Sequence, residues 1–302
     1  MLQSNLKGVI EISILVLQDV HKKYKSHQVI DHVSLTIEQP GIWALVGPNG
    51  VGKTTLLNCI CNIIPINSGK IELLGESNKN FKIFKKVSYL QDNTILFHYL
   101  TGYDHLKYVC DVHELPKSRI QEVAEYVGME SYLHKRIGTY SLGMKQHLLV
   151  ALSIVNKPKL LFMDEPLNGL DPSSAIQMRK ILLELVKHGT TIILSSHNLA
   201  EIDRVTNQII FLKDGKLIEV DRREHTKTEY RFKLSHQSMA KQILKDAGYN
   251  IIEENKTLHV MIGEKDLNEC IQQIQNNGMT ILDIQKEVSG SEKLYETYFE
   301  RG

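Results

Sequence analysis

Residues 47–54 read Gly47-Pro48-Asn49-Gly50-Val51-Gly52-Lys53-Thr54, set between the apolar run Ile42-Trp43-Ala44-Leu45-Val46 and the segment Thr55-Leu56-Leu57-Asn58-Cys59-Ile60. The first run has the length and character of a buried strand and the second those of a helix start, so the order strand, glycine-rich loop, helix is expected. Gly47, Gly50 and Gly52 let the backbone curl until successive N–H groups point inward at phosphate oxygens, and the helix N-terminus adds its positive dipole end. Pro48, Asn49, Val51 and Thr55 complete the phosphate-contacting stretch. Lys53 is expected to reach the β- and γ-phosphates, and Thr54 to offer a hydroxyl to the Mg²⁺ that bridges them. A glycine turn before a surface lysine would require neither this spacing nor these flanks.

GTPases, helicases and small-molecule kinases share such a cradle, so the remaining chemistry must be found downstream. Lys159-Leu160-Leu161-Phe162-Met163-Asp164-Glu165 is an apolar strand that ends in two carboxylates, with Pro166 directly after. Side chains alternate along a strand, which predicts that Asp164 and Glu165 face opposite ways and do different work. Asp164 suits the Mg²⁺ shell, and Glu165 suits the general base for an attacking water.

Between and after these sites the chain resembles the ATP-binding cassette (ABC) ATPases, over residues 13 to about 220. Tyr140-Ser141-Leu142-Gly143-Met144-Lys145-Gln146 stands where that family carries its signature, most often Leu-Ser-Gly-Gly-Gln. Gln91, after Val87-Ser88-Tyr89-Leu90, matches the glutamine loop that touches the metal site and the transmembrane partner. Asn168-Gly169-Leu170-Asp171-Pro172 matches the loop through which two cassettes communicate, His197 the switch histidine that contacts the γ-phosphate, and Tyr24 the aromatic residue stacked on adenine. A lone histidine after a strand is ordinarily a capped turn residue, and a lone tyrosine beside lysines a surface aromatic; family order across one domain is what decides. Leu142, Met144 and His147 depart from the commonest pattern. Ser141 and Gly143 are kept, ahead of a helix expected over Met144–Ser153, so a hydroxyl, open backbone N–H groups and a positive helix end can face a γ-phosphate. The resemblance implies that this signature completes the ATP site of a second cassette, in a head-to-tail dimer, a homodimer if two copies pair.

Composition places whatever such a motor moves outside this chain. The 302 residues hold no apolar run near the ~20 needed for a spanning helix. Val9–Val20 is interrupted by Glu11 and Asp19 and reads as a strand. With 36 basic against 35 acidic residues no net field attracts nucleic acid or an anionic membrane, and no nucleic-acid partner is expected. Cys59, Cys61, Cys110 and Cys270 lack a metal-ligand spacing, Cys59 and Cys61 being expected on different faces of one helix.

The expected fold is α/β: a P-loop NTPase core of the ABC type over residues 1–222, with an antiparallel β part and a helical subdomain at about 92–155, then an accessory domain over 223–302. Asp221–Lys227 reads as a charged linker, and Ile209–Ile218 as a hairpin turning at Asp214-Gly215. After the linker the pattern is β-α-β-β-α-β, turning at Asn255-Lys256, with Ser291–Arg301 as a terminal helix. That order is ferredoxin-like. His236 and His259 are read there as ordinary surface or strand residues. Export ATPases of the bacitracin-resistance and lantibiotic-immunity type carry a similar extension. The expectation is thus an ATP- and Mg²⁺-dependent exporter subunit at the cytoplasmic face of the membrane, with separate transmembrane permease subunits. A soluble ABC ATPase acting on ribosomes or nucleic acid, or a module that binds ATP without turnover, are the alternatives; one cassette without a heptad run speaks against the first, and retention of Glu165 and His197 against the second.

Overall fold

Alternating apolar residues at the start of the described chain form two long strands, β1 (Leu15–Tyr24) and β2 (His27–Ile37), paired antiparallel. The computed structural model describes residues 13–225, 228–254, 257–262, 267–288 and 290–299. The β1–β2 ladder is interrupted three times, once at Val29 between the pairs Lys22↔Ile30 and Lys23↔Gln28, and twice earlier along β1. Between the pairs Leu17↔Leu35 and Val20↔Val33, Gln18 and Asp19 together oppose Ser34; between Val20↔Val33 and Lys22↔Ile30, Asp31 and His32 together oppose His21. Each of these two earlier bulges contains a left-handed residue, Asp19 at φ 50° and His32 at φ 49°. Bulges bend a strand and re-aim its side chains.

The chain continues through β3 (Ile42–Val46) and α1 (Lys53–Ile60) to β4 (Ser68–Leu73) and β5 (Glu76–Ser77), which complete the antiparallel sheet in the order β2-β1-β4-β5. Cys61 is the C-cap of α1, so Cys59 and Cys61 do not share the helix as expected; both are buried. A second sheet is built from β3, β6 (Val87–Leu90), β7 (Leu160–Met163), β8 (Thr191–Ser196), β9 (Gln208–Lys213) and β10 (Lys216–Asp221), ordered β10-β9-β3-β8-β7-β6. From β9 to β6 all neighbours are parallel. Every residue of β3, β7 and β8 is buried, the signature of strands covered on both faces. One apolar cluster joins Leu15, Val20 and Ile30 of the first sheet to Leu56 and Leu57 of α1 and to Leu45, Phe162 and Ile193 of the second, so α1 is packed between the sheets. Asp214 and Gly215 turn β9 into β10 with positive φ at both residues, the hairpin that Asp-Gly predicts.

Between β6 and β7 lie α2 (Gly102–Val112), α3 (Ser118–Val127) and α4 (Leu142–Ile154), within the span expected to be helical. Helices α5 (Pro172–Lys187) and α6 (Leu199–Ile202) follow β7 and β8. The run beginning at Asp221 is not a plain linker: Asp221 ends β10, and α7 (Arg222–His225) follows at once.

Contacts divide the chain into two compact units, Met1–Val220 and Asp221–Gly302. In the second unit β11 (Thr228–Leu234), α8 (Gln237–Asp246), β12 (Asn250–Glu254), β13 (Thr257–Met261), α9 (Leu267–Asn276) and β14 (Ile281–Val288) follow the expected β-α-β-β-α-β order. The sheet runs β12-β13-β11-β14, antiparallel throughout, which is the ferredoxin-like arrangement. Phe232, Leu244, Leu258, Val260 and Ile274 form its own core, and α10 (Ser291–Phe299) closes the described chain. His236 is exposed at the start of α8, while His259 is buried within β13. The expected turn at Asn255-Lys256, the first part of Val9–Val20, Thr226-Lys227 and Arg301 lie outside the described residues.

Candidate functional site

Parallel pairing in the second sheet carries four separated motifs to one edge. Val46 pairs with Ser196, Met163 with Leu194 and Leu90 with Met163, so the C-terminal ends of β3, β8, β7 and β6 lie side by side. The glycine loop, Ser195 to His197, the Asp164-Glu165 pair and Gln91 all leave from those ends. Open α/β sheets bind ligands at this edge.

The loop after β3 needs its glycines. Gly50 and Gly52 have φ +81° and +112°, and a Cβ on Gly52 would stand 2.5 Å from Val29 Cγ1; one on Gly47 would stand 2.8 Å from Leu212 O. Helix α1 begins at Lys53 with no side-chain cap and no acidic residue in its first turn, so its leading N–H groups are left to a ligand. The Lys53 side chain is nearly buried, a costly place for an ammonium unless it is paired. Its Nζ donates to Gly47 O at 2.8 Å and Pro48 O at 3.3 Å, and Glu165 Oε1 lies 3.4 Å away. Pro48, Asn49, Gly50 and Thr54 are exposed, while Val51, Gly52 and Thr55 are half-buried.

The carboxylates do not part company as alternation predicts. Strand β7 ends at Met163, and Glu165 takes φ +48°, a left-handed turn that brings both side chains toward the glycine loop. Asp164 accepts from the Thr54 hydroxyl at 2.6 Å and the Ser195 hydroxyl at 2.5 Å. The Glu165 N–H donates to Ser195 Oγ at 2.9 Å, and His197 Nδ1 lies 2.9 Å from Glu165 Oε2. Thr54 and Asp164 thus present a hydroxyl and a carboxylate oxygen at one point, the hard donor set that suits Mg²⁺. Gln91 is half-buried at the end of β6. Tyr89, on the same strand, has its hydroxyl pushed above the usual range by burial and then by the Asp164 charge, so it stays a neutral phenol beside the site.

Sequence reading missed Ser195, which tethers Asp164 and Glu165 together. Its signal was a serine at the end of a fully buried strand, where a hydroxyl must find a partner.

The remaining site residues stand apart from this group. Tyr24 ends β1, about half exposed, with Lys22 Nζ 4.8 Å from its ring centroid. Ser141 is the N-cap of α4, its Oγ accepting from Met144 N at 3.3 Å; Gly143 lies inside the first turn, because the helix starts earlier than Met144. A Cβ on Gly143 would meet Ser174 Oγ at 3.2 Å. Among the described residues no hydrogen bond or ion pair joins Ser141 to Lys53 or Thr54. His147 packs inward from α4, with Nδ1 2.9 Å from the Tyr132 hydroxyl and Nε2 buried without a partner. Its pKa is lowered by burial, against the opposing pull of Asp171.

The family model for ABC transporters matches residues 30–168. The chain is 30% identical over 278 residues to YdbJ, an uncharacterized ABC transporter ATP-binding protein of Bacillus subtilis, covering 90% of each chain. It is 35% identical over 238 residues to the bacitracin transport ATP-binding protein BcrA of Bacillus licheniformis, covering 76% of this chain and 77% of that one. A solved structure described as an ATP binding subunit of an ABC transporter superposes with a TM-score of 0.64 at 24% identity, over 70% of this chain and 93% of the other.

Proposed function

The chain belongs to the ABC transporter family as an ATP-binding ATPase subunit, and from that premise we propose that it drives an exporter of the peptide-antibiotic or drug type whose membrane subunits are separate chains. Support for the substrate class is the similarity to a protein named for bacitracin transport. The observation that carries the mechanism is the continuous run of contacts Thr54–Asp164–Ser195–Glu165, with Glu165 held in turn by Lys53 and His197.

In this reading the phosphates of ATP lie in the loop from Gly47 to Thr55, with adenine on Tyr24. Lys53 has three N–H bonds to give, and its contact with Glu165 is the one for which a γ-phosphate oxygen competes. Glu165, so released, takes a proton from water as the water oxygen bonds to the γ-phosphorus and the bond to ADP breaks. His197 holds the Glu165 carboxylate in place. Mg²⁺ would be held by Thr54, Asp164 and Gln91, and it supplies charge neutralisation between the β- and γ-phosphates. Ser141 and Gly143 act on the ATP of a second copy, which makes a two-fold dimer the working unit. A cavity of about 540 Å³ lined by Tyr89, Phe97, Tyr108, Val109 and Leu149 lies between β6, α2 and α4. Phe97 and Tyr108 are largely exposed there, next to Gln91, and this groove is where the membrane subunits dock, holding the chain at the cytoplasmic face.

The test is Glu165→Gln. It spares the cradle and removes the base, so ATP affinity should persist within a few fold while phosphate release falls by about 10²-fold or more. Hydrolysis at the wild-type rate would exclude Glu165 as the general base, and a binding-only module would show no turnover in the wild-type chain.

A further inference from the structure

The double bulge of β1–β2 gathers titratable side chains that take no part in nucleotide chemistry. One bulge places Asp31 and His32 opposite His21, and the other turns Asp19 back toward them. The His21 and His32 rings stack at 4.7 Å, and His32 Nδ1 lies 2.8 Å from Asp19 Oδ1. His21, Asp31 and His32 each offer one ligand atom, and these atoms all lie within 4.8 Å of one another. His21 Nδ1 is buried and has no hydrogen-bond partner. Asp31 is half-buried and has one oxygen, Oδ2, on Lys216 Nζ at 2.6 Å, which leaves Oδ1 to face elsewhere.

We propose that His21, Asp31 and His32 form a binding site for one first-row transition-metal dication of the zinc class. Two imidazoles and a carboxylate are the donor set such ions take, and it discriminates against Mg²⁺ and Ca²⁺, which take oxygen ligands. Asp19 supplies the outer support: by accepting the Nδ1 proton of His32 it leaves the lone pair on Nε2, the arrangement that orients ligating histidines in metalloproteins. A metal also accounts for the orphaned His21 Nδ1, since a buried nitrogen without a partner is otherwise a net cost. Ligand atoms around a tetrahedral zinc are about 3.4 Å apart, so on binding the three side chains draw closer than the 4.8 Å that now spans them and the stacked rings turn their nitrogens toward one point, with water in the fourth position. The site lies entirely within the first compact unit, across β1 and β2, and Val29 of β2 packs against Gly52 of the phosphate loop.

The experiment titrates Zn²⁺ into the chelator-stripped full-length protein by calorimetry, with Mg²⁺ in large excess to saturate the phosphate-loop site. Co²⁺ absorption is recorded in parallel. One equivalent should bind, with Co²⁺ bands of a nitrogen and oxygen site and no sulfur-to-cobalt charge transfer, which excludes the four cysteines. His21→Asn and His32→Asn should each weaken Zn²⁺ binding about tenfold or more, with ATP turnover unchanged as the sign of an intact fold. Absence of saturable Zn²⁺ binding to the wild-type chain, displacement of Zn²⁺ by Mg²⁺, a sulfur-type Co²⁺ spectrum, or equal affinity in a folded His21→Asn/His32→Asn chain would each overturn the assignment.

Discussion

Glu165 sits in a left-handed backbone conformation that costs a non-glycine residue roughly 1–3 kcal/mol. Its contacts with Lys53, His197 and Ser195 offset that strain and aim the carboxylate. His147 is constrained in a different way. Burial lowers its pKa, so between that value and the ordinary one the unfolded chain binds more protons than the folded chain. The stability owed to neutral His147 is therefore complete above the unfolded pKa of about 6.5 and is lost as pH falls toward and through the depressed folded value. His147→Asn keeps a partner for the Tyr132 hydroxyl and cannot ionise. Its thermal midpoint should consequently fall less than that of the wild type between about pH 7.5 and pH 5.5, as followed by circular dichroism. Equal falls in the two proteins would mean that His147 does not titrate in this window.

At the scale of elements, α4 and α5 both begin with side-chain caps, Ser141 on Met144 N and Asp171 on Ser173 N and Ser174 N. In the proposed dimer Ser141 would do two things, cap a helix and face the phosphate of a second copy, and substitutions can separate them. Ser141→Ala should lose about 1 kcal/mol of stability through the cap. Ser141→Asp keeps the cap, so its unfolding midpoint should match the wild type, yet its ATPase activity should collapse because a carboxylate then opposes a γ-phosphate. Full activity in Ser141→Asp would show that the α4 N-terminus does not approach nucleotide. How much of this was legible in the sequence follows from how local each signal is. The glycine loop, its strand and α1 were legible because loop chemistry, apolar run and helix start sit within one short stretch. The order of elements in the second unit was legible, since its pattern alternates cleanly between helix and strand periods. What could not be read were features set by pairing. The left-handed turn at Glu165 overrides strand alternation, Ser195 acts through a neighbouring strand, and the bulges exist only in the register of β1 against β2. The charged residues after β10 were mistaken for a linker because polarity alone does not distinguish α7 from coil.

For the whole molecule, every residue proposed to act in ATP chemistry precedes Val220, where the first compact unit ends. The second unit has a separate apolar core and its own four-stranded sheet. We accordingly read residues 223–302 as an accessory domain that contributes an interface. A chain ending at Val220 should bind ATP with Mg²⁺ as tightly as the full-length protein while dimerising or assembling with its membrane subunits less well, which nucleotide titration and light scattering would measure. An insoluble truncation, or one that cannot bind ATP, would defeat this division. The first unit also hides three of the four cysteines: Cys59 and Cys61 lie at the buried end of α1 and Cys110 inside α2, while Cys270 is buried in α9. Burial pushes the Cys59 thiol up to about 11 and that of Cys61 higher still, so the reactive thiolate is scarce in the folded chain. A disulfide reagent added to the native protein therefore reacts only as fast as these segments breathe open. The thiols serve as an intrinsic clock for local opening, and a cysteine introduced on the surface would accept a fluorescent label without removal of the native ones.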